Sequence, residues 1–223
     1  MKLTRAISRL FVIAAFLAAT TGCRSIYNAT MENVFGYEKR ELFQKSVAKL
    51  QAEQKDAQKE FKDALTRLKE LYGFEGGELE AMYQKVKTSY ERCAKEASDV
   101  SARIKTMEDL AESMFREWEK EIEQFSNPEY SAASRAQLRT TKERFTQLSR
   151  TVRSAESAMK PVLTQLRDNV LFLKHNLNAS AIGSLQGEAT QVQAQIEQLL
   201  ARMNASIAES EQFLQSLQTT SAK

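Results

Sequence analysis

From Phe43 onward, apolar or small side chains return at alternating steps of four and three residues. A repeat of that period fits one stripe of a helix and no strand. The first run is Phe43, Val47, Leu50, Gln54, Ala57, Phe61, Ala64, Leu68 and Leu71. It stops at Gly73-Phe74-Glu75-Gly76-Gly77, a turn whose glycines take positive φ at little cost. The second run is Leu79, Tyr83, Val86, Tyr90, Cys93, Ala97, Val100, Ile104, Met107, Ala111, Met114, Trp118, Ile122 and Phe125. Ser126-Asn127-Pro128 is expected to end it, because proline disfavours helix in the residue before it and supplies no donor. The third helix is expected to resume after Tyr130, with Phe145, Leu148, Val152, Ala155, Met159, Val162, Leu166, Val170, Leu173 and Leu177 on its seam. Pro161 falls inside that run and is expected to kink the helix rather than break it. The pattern lapses over Asn178 to Gly183. It returns as Leu185, Ala189, Val192, Ile196, Leu199 and Met203, then Ile207, Ser210, Leu214 and Leu217.

Seams kept this long imply knobs-into-holes packing, and short connections make successive helices antiparallel neighbours. The expectation is therefore an all-α fold, an elongated antiparallel coiled-coil bundle of about four long helices. At 1.5 Å per residue the second and third helices would each reach about 70 Å. Only two prolines and an aromatic content of 8% argue further against a compact β-rich domain. Charge placement supports the pairing independently. Residues 78–125 carry 8 basic and 12 acidic side chains, residues 131–177 carry 9 and 3. Near their shared turn, Glu117, Glu119, Glu121 and Glu123 face an expected partner row of Arg135, Arg139, Lys142 and Arg144. Such charges select orientation more than they add stability.

The N-terminus reads as an export signal. Lys2, Arg5 and Arg9 form a positive segment, and Leu10 to Ala19 is an apolar stretch too short to span a bilayer as a helix. Thr20-Thr21-Gly22-Cys23 then resembles a bacterial lipobox, with Thr20 where leucine is usual, against the alternative of an ordinary secretory cleavage nearby. The expected organisation is a signal peptide over 1–22, a lipidated linker and short helix over 23–37, the helical domain over 38–217 and a tail over 218–223. Three of the 32 basic residues lie in the signal, so the mature chain holds 29 against 29 acidic ones and is neutral. The basic balance that would suggest nucleic acid is then absent. With Cys23 carrying lipid, Cys93 is left alone and no intrachain disulfide forms.

Catalytic chemistry has few residues to draw on. His175 is the only histidine, which excludes histidine-based metal clusters. It stands in Lys174-His175-Asn176-Leu177-Asn178, where His175, Asn176 and Asn178 suit the end of one helix and the cap of the next. Cys93 lies on the second seam, so burial as a small hydrophobe outweighs a reactive thiol. Gln54 interrupts the first seam, and a polar residue there fixes register or partner number. Gly76 and Gly77 are turn residues: no G-x-x-x-x-G-K-[ST] phosphate loop occurs in the chain. Glu75 and Glu78 beside them read as solvated, and Trp118 as core. No catalytic residue, metal ligand or cofactor is expected.

Three phrases carry a family likeness: Phe74-Glu75-Gly76-Gly77-Glu78-Leu79-Glu80, Phe115-Arg116-Glu117-Trp118-Glu119, and the run from Val170 to Ala179 continuing to Ser184-Leu185-Gln186-Gly187-Glu188. Together they resemble an uncharacterised family of Gram-negative coiled-coil lipoproteins, known only as a domain of unknown function. The likeness covers about residues 27 to 215. It implies exported helical proteins with no assigned activity. Members sometimes carry a DNA-repair or ATPase label, against which stand the export signal, the neutral mature charge and the missing nucleotide loop.

The expected function is a non-enzymatic envelope component that tethers, spaces or scaffolds within the periplasm. Arg24 follows the acylated cysteine where aspartate would signal inner-membrane retention, so the outer membrane, periplasmic face, is expected, with a soluble periplasmic protein as the alternative. Expected partners are the membrane, through the N-terminal lipid, and an envelope protein or a second copy, with no nucleic acid and no small-molecule substrate. The competing reading is a periplasmic chaperone or adaptor gripping clients between helical hairpins. It needs an exposed apolar strip, for which Leu65, Tyr72, Leu110, Phe115, Leu163 and Leu171 are the off-seam candidates.

Overall fold

A computed structural model describes residues 39–73, 79–176 and 179–221. Every element among them is a helix. They are α1, whose described part covers residues 39–72, α2 (Leu79–Glu123), α3 (Pro128–His175), a short α4 (Ala179–Gln186) and α5 (Ala189–Ser221). The protein is all-α, as expected, with four long helices and one short one among the described residues. Residues 43–223 form one compact unit; of the preceding unit, residues 39–42 are helical.

The heptad seams become the core. All nine first-seam positions from Phe43 to Leu71 are buried, Gln54 included, as are Val86, Cys93, Ala97, Val100, Ile104, Met107, Ala111 and Met114 on α2. On α3 the buried row runs Leu148, Val152, Ala155, Met159, Val162, Leu166, Val170 and Leu173. A long helix that buries one stripe is stabilised mainly by that burial, each large aliphatic side chain contributing about 1.5–3 kcal/mol. α3 packs against both α2 and α5. One layer draws a phenylalanine from each long helix. The ring of Phe43 lies 6.4, 5.6 and 5.7 Å from those of Phe115, Phe145 and Phe213, all edge-on.

Four local expectations need correction. Asn127-Pro128 starts α3 rather than merely closing α2. The Asn127 side chain accepts the Glu129 backbone N–H at 2.8 Å, and Pro128 occupies the first turn, where its missing donor costs nothing. Phe125 consequently falls in the turn and is exposed, not on the seam. The lapse read over Asn178 to Gly183 falls largely within α4 (Ala179–Gln186), a helix short enough to carry no readable periodicity. On α5 the buried positions after Met203 are Ser206, Ser210 and Phe213, while Ile207, Leu214 and Leu217 are half-buried at the margin. The strict four–three step from Met203 reaches Ser206; reading for apolarity had slipped it by one. Pro161 lies within an unbroken α3.

Candidate functional site

The most distinctive chemistry is a polar strip inside the α1–α5 contact. Gln54 is 1% exposed, and its Nε2 donates to the equally buried Ser206 Oγ at 2.6 Å. Ser206 in turn gives its carbonyl to the Ser210 hydroxyl at 3.0 Å. Gln51 Nε2 reaches the Ile207 carbonyl at 3.4 Å, and Gln58 Nε2 donates to Asn204 Oδ1 at 2.7 Å. Gln54 Oε1 is buried with no hydrogen-bond partner among the described residues. The strip thus carries one satisfied and one unsatisfied half of an amide in an otherwise apolar core, a costly arrangement. Gln54 had been singled out from sequence as a register residue. Its partner was missed, although Ser206 lies at the seam position the heptad assigns.

A second polar knot sits at the end of α1. Asn169 Nδ2 donates to the Tyr72 hydroxyl at 3.2 Å, both residues being buried, and Gln186 Nε2 donates to the Tyr72 carbonyl. Burial pushes the Tyr72 phenol above its ordinary range, partly offset by the Asn169 bond. The knot joins α1, α3 and α4. Close by, the α3 terminus is capped by Asn176, whose backbone N–H bonds the Leu173 carbonyl at 3.2 Å and whose side chain bonds the Phe172 carbonyl at 3.0 Å. The capping role read for this stretch belongs to Asn176. His175 lies exposed in the last turn. Gly76, Gly77, Asn178 and Cys23 lie outside the described residues.

Ions mark the other contacts. Glu108 on α2 accepts Ser149 Oγ at 2.7 Å and Arg153 Nε at 3.1 Å, with a further bond from Arg153 Nη2. Burial alone would raise the Glu108 carboxyl, but these hydrogen bonds and the guanidinium charge hold it below the usual carboxylate range. Lys142 pairs with Glu119, and the Trp118 indole donates to Ser134 Oγ at 2.9 Å. Between α1 and α2, Arg103 bonds Glu53 at 3.1 Å, and Ser89 donates to Asp63 at 3.4 Å. Oxygens of Glu53, Glu96 and Asp99 lie within 4.8 Å of one another. Arg103 and Lys95 already supply their positive charge, Lys95 at 2.9 Å from Glu96 and 2.7 Å from Asp99. Such a cluster is a salt-bridge network.

Cys93 is buried in the α2 seam, and burial first, then the charges of Glu60 and Asp63, push its thiol up to about 12. A thiol held neutral in that way is a poor nucleophile. Gln54, Cys93, Trp118 and Asn176 are thus drawn into packing, capping and helix-to-helix bonds, while His175 stays exposed.

No helix among the described residues is long and apolar enough to cross a membrane. Comparison with curated proteins finds no match, and neither does comparison with solved structures. One family model does match, over residues 27–217. The chain therefore belongs to the family described as Protein of unknown function (DUF2959).

Proposed function

We propose that this chain is a non-enzymatic cell-envelope lipoprotein, held by lipid on Cys23 at the periplasmic face of the outer membrane. Its helices form an elongated antiparallel coiled coil that tethers or scaffolds. The observation that carries the reading is a set of polar bridges between helices, spaced from one end of the unit to the other. Pairing across each contact falls on one helix as it rises on the other, with Glu53–Arg103 against Asp63–Ser89, Gln54–Ser206 against Gln58–Asn204, and Glu108–Arg153 against Glu119–Lys142. Tyr90, Ala94 and Ala97 of α2 line one groove with Met159, Leu163 and Arg167 of α3, in keeping with α2 folding back on α3. At 1.5 Å per residue, the 45 residues of α2 extend about 70 Å, a length suited to spanning a gap.

The chaperone reading has less to support it. Of the six off-seam residues it would use, Tyr72 and Phe115 are buried, and Leu65, Leu110 and Leu163 pack against the core, leaving Leu171 exposed. Mild crosslinking in intact envelopes followed by purification tests the scaffold reading. A defined envelope protein or a second copy is expected. A broad, non-stoichiometric set of unfolded proteins would favour the chaperone. Palmitate labelling that survives in the wild type and vanishes in Cys23→Ser tests the anchor.

A further inference from the structure

The two ends of the unit beginning at Phe43 expose different large apolar side chains. Phe125 and Tyr130, 45% and 63% exposed, flank the α2–α3 turn. Leu171 and Phe172, 47% and 38% exposed, lie near the end of α3. The path of α1 fixes which end is which. Phe43, where the chain enters the unit, meets Phe115, eight residues or about 12 Å before α2 ends at Glu123. The other end of α1, at Tyr72, meets Asn169 and Gln186. Entry point and aromatic turn therefore share one end; Leu171 and Phe172 belong to the opposite one.

We propose that the α2–α3 turn is a membrane-contacting tip, with Phe125 and Tyr130 seated in the interfacial layer of a phospholipid bilayer. The proposal rests on the anchor reading above, under which a lipid on Cys23, 20 residues before Phe43 in the sequence, tethers the chain on the side where it enters the unit. Aromatic rings, tyrosine above all, favour the boundary where one side is apolar and the other wet. Beside the turn is a groove floored by Ile122 and Leu138 and edged by Arg135 and Arg139, donors suited to lipid phosphates. Glu119, Glu123 and Glu143 line the same groove, and Glu121 and Glu129 lie near it in sequence. Because these acids outnumber Arg135, Arg139 and Lys142, which also lines the groove, the contact depends on ring insertion and not on attraction to anionic lipid.

The test uses the full mature chain, residues 23–223, coupled through Cys23 to phosphatidylcholine vesicles that carry a maleimide lipid. Cys93 stays unmodified because it is buried. Phe125→Trp and Leu171→Trp each add a reporter to the shared background of Trp118, in vesicles whose acyl chains are brominated near the headgroup. The added emission at 125 should be blue-shifted and quenched roughly twofold, with little dependence on salt, while that at 171 is unquenched. Adding Tyr130→Ser should weaken the quenching at 125. Emission at 125 that is unquenched, or quenched equally at 171, overturns the proposal. Quenching that vanishes in high salt would replace ring insertion with headgroup attraction and overturn it as well. Since the tether is chemical, failure here is distinct from failure of the anchor reading, which palmitate labelling in cells reports.

Discussion

The α2–α3 and α1–α5 contacts solve the same packing problem with different chemistry. α2 and α3 are joined by a four-residue turn and flanked by ion pairs, Glu108–Arg153 and Glu119–Lys142, at the edge of an apolar seam. α1 and α5 are about 150 positions apart in the chain and use neutral amides and hydroxyls, one pair of them inside the seam. For neighbours in sequence, the turn already dictates orientation, and exposed charges need only reinforce it. For distant helices nothing local dictates the register. A buried bond that only one alignment can satisfy does so, at a cost in stability.

The largest expected effect falls on the layer that both contacts share. Phe43→Ala removes the ring that meets Phe115, Phe145 and Phe213 and should cost about 3–5 kcal/mol in denaturant unfolding. A loss below about 1 kcal/mol would mean the four helices do not converge there.

Next comes the buried polar pair. Gln54→Leu with Ser206→Ala removes both groups, including the unpartnered Oε1, and should leave stability unchanged or raised by about 1 kcal/mol. The same double variant should broaden the oligomeric state by light scattering, since no bond then selects the register. A variant that stays a single, uniquely folded species would show that the pair does not act as a register lock.

The ion pair should matter least and respond most to conditions. Glu108→Gln should cost no more than about 1 kcal/mol, less at high salt, because Arg153 is largely exposed. The Glu108 carboxyl lies below its ordinary range when folded, so its contribution is complete above the unfolded value of about 4.3 and is lost as pH falls through the folded one. Acid melts of wild type and Glu108→Gln should therefore converge at low pH. A gap that persists there would assign the effect to packing.

Legibility in the sequence followed the same division. The α1 seam was readable position by position because apolar side chains announce a heptad. The α5 seam, read in place at Ser210, slips to Ile207 for Ser206 and to Leu214 for Phe213, because a small polar residue such as Ser206 gives no hydrophobic signal even when fully buried. Gln54 stood out as an interruption, but a side chain 152 positions away cannot be paired with it by local reading. Phe213 went unnoticed as a consequence of the same slip. Asn127-Pro128 was ambiguous in kind: the pair that stops one helix also caps the next, and only the accepted Glu129 N–H distinguishes the two.

The account stands or falls on α1 closing against α5 of its own chain. Gln58 and Asn204 offer the most direct measurement, since their side chains meet at 2.7 Å on the exposed flank of that contact. In a Cys23→Ser background, where buried Cys93 is inert, Gln58→Cys with Asn204→Cys should form an intrachain disulfide under mild oxidation, visible as a faster-migrating monomer. Gln58→Cys with Gln212→Cys, whose second site lies about 12 Å further along α5, should not. Disulfides only between chains would mean that α1 pairs with α5 of another copy, and crosslinking through position 212 in place of 204 would contradict the register itself.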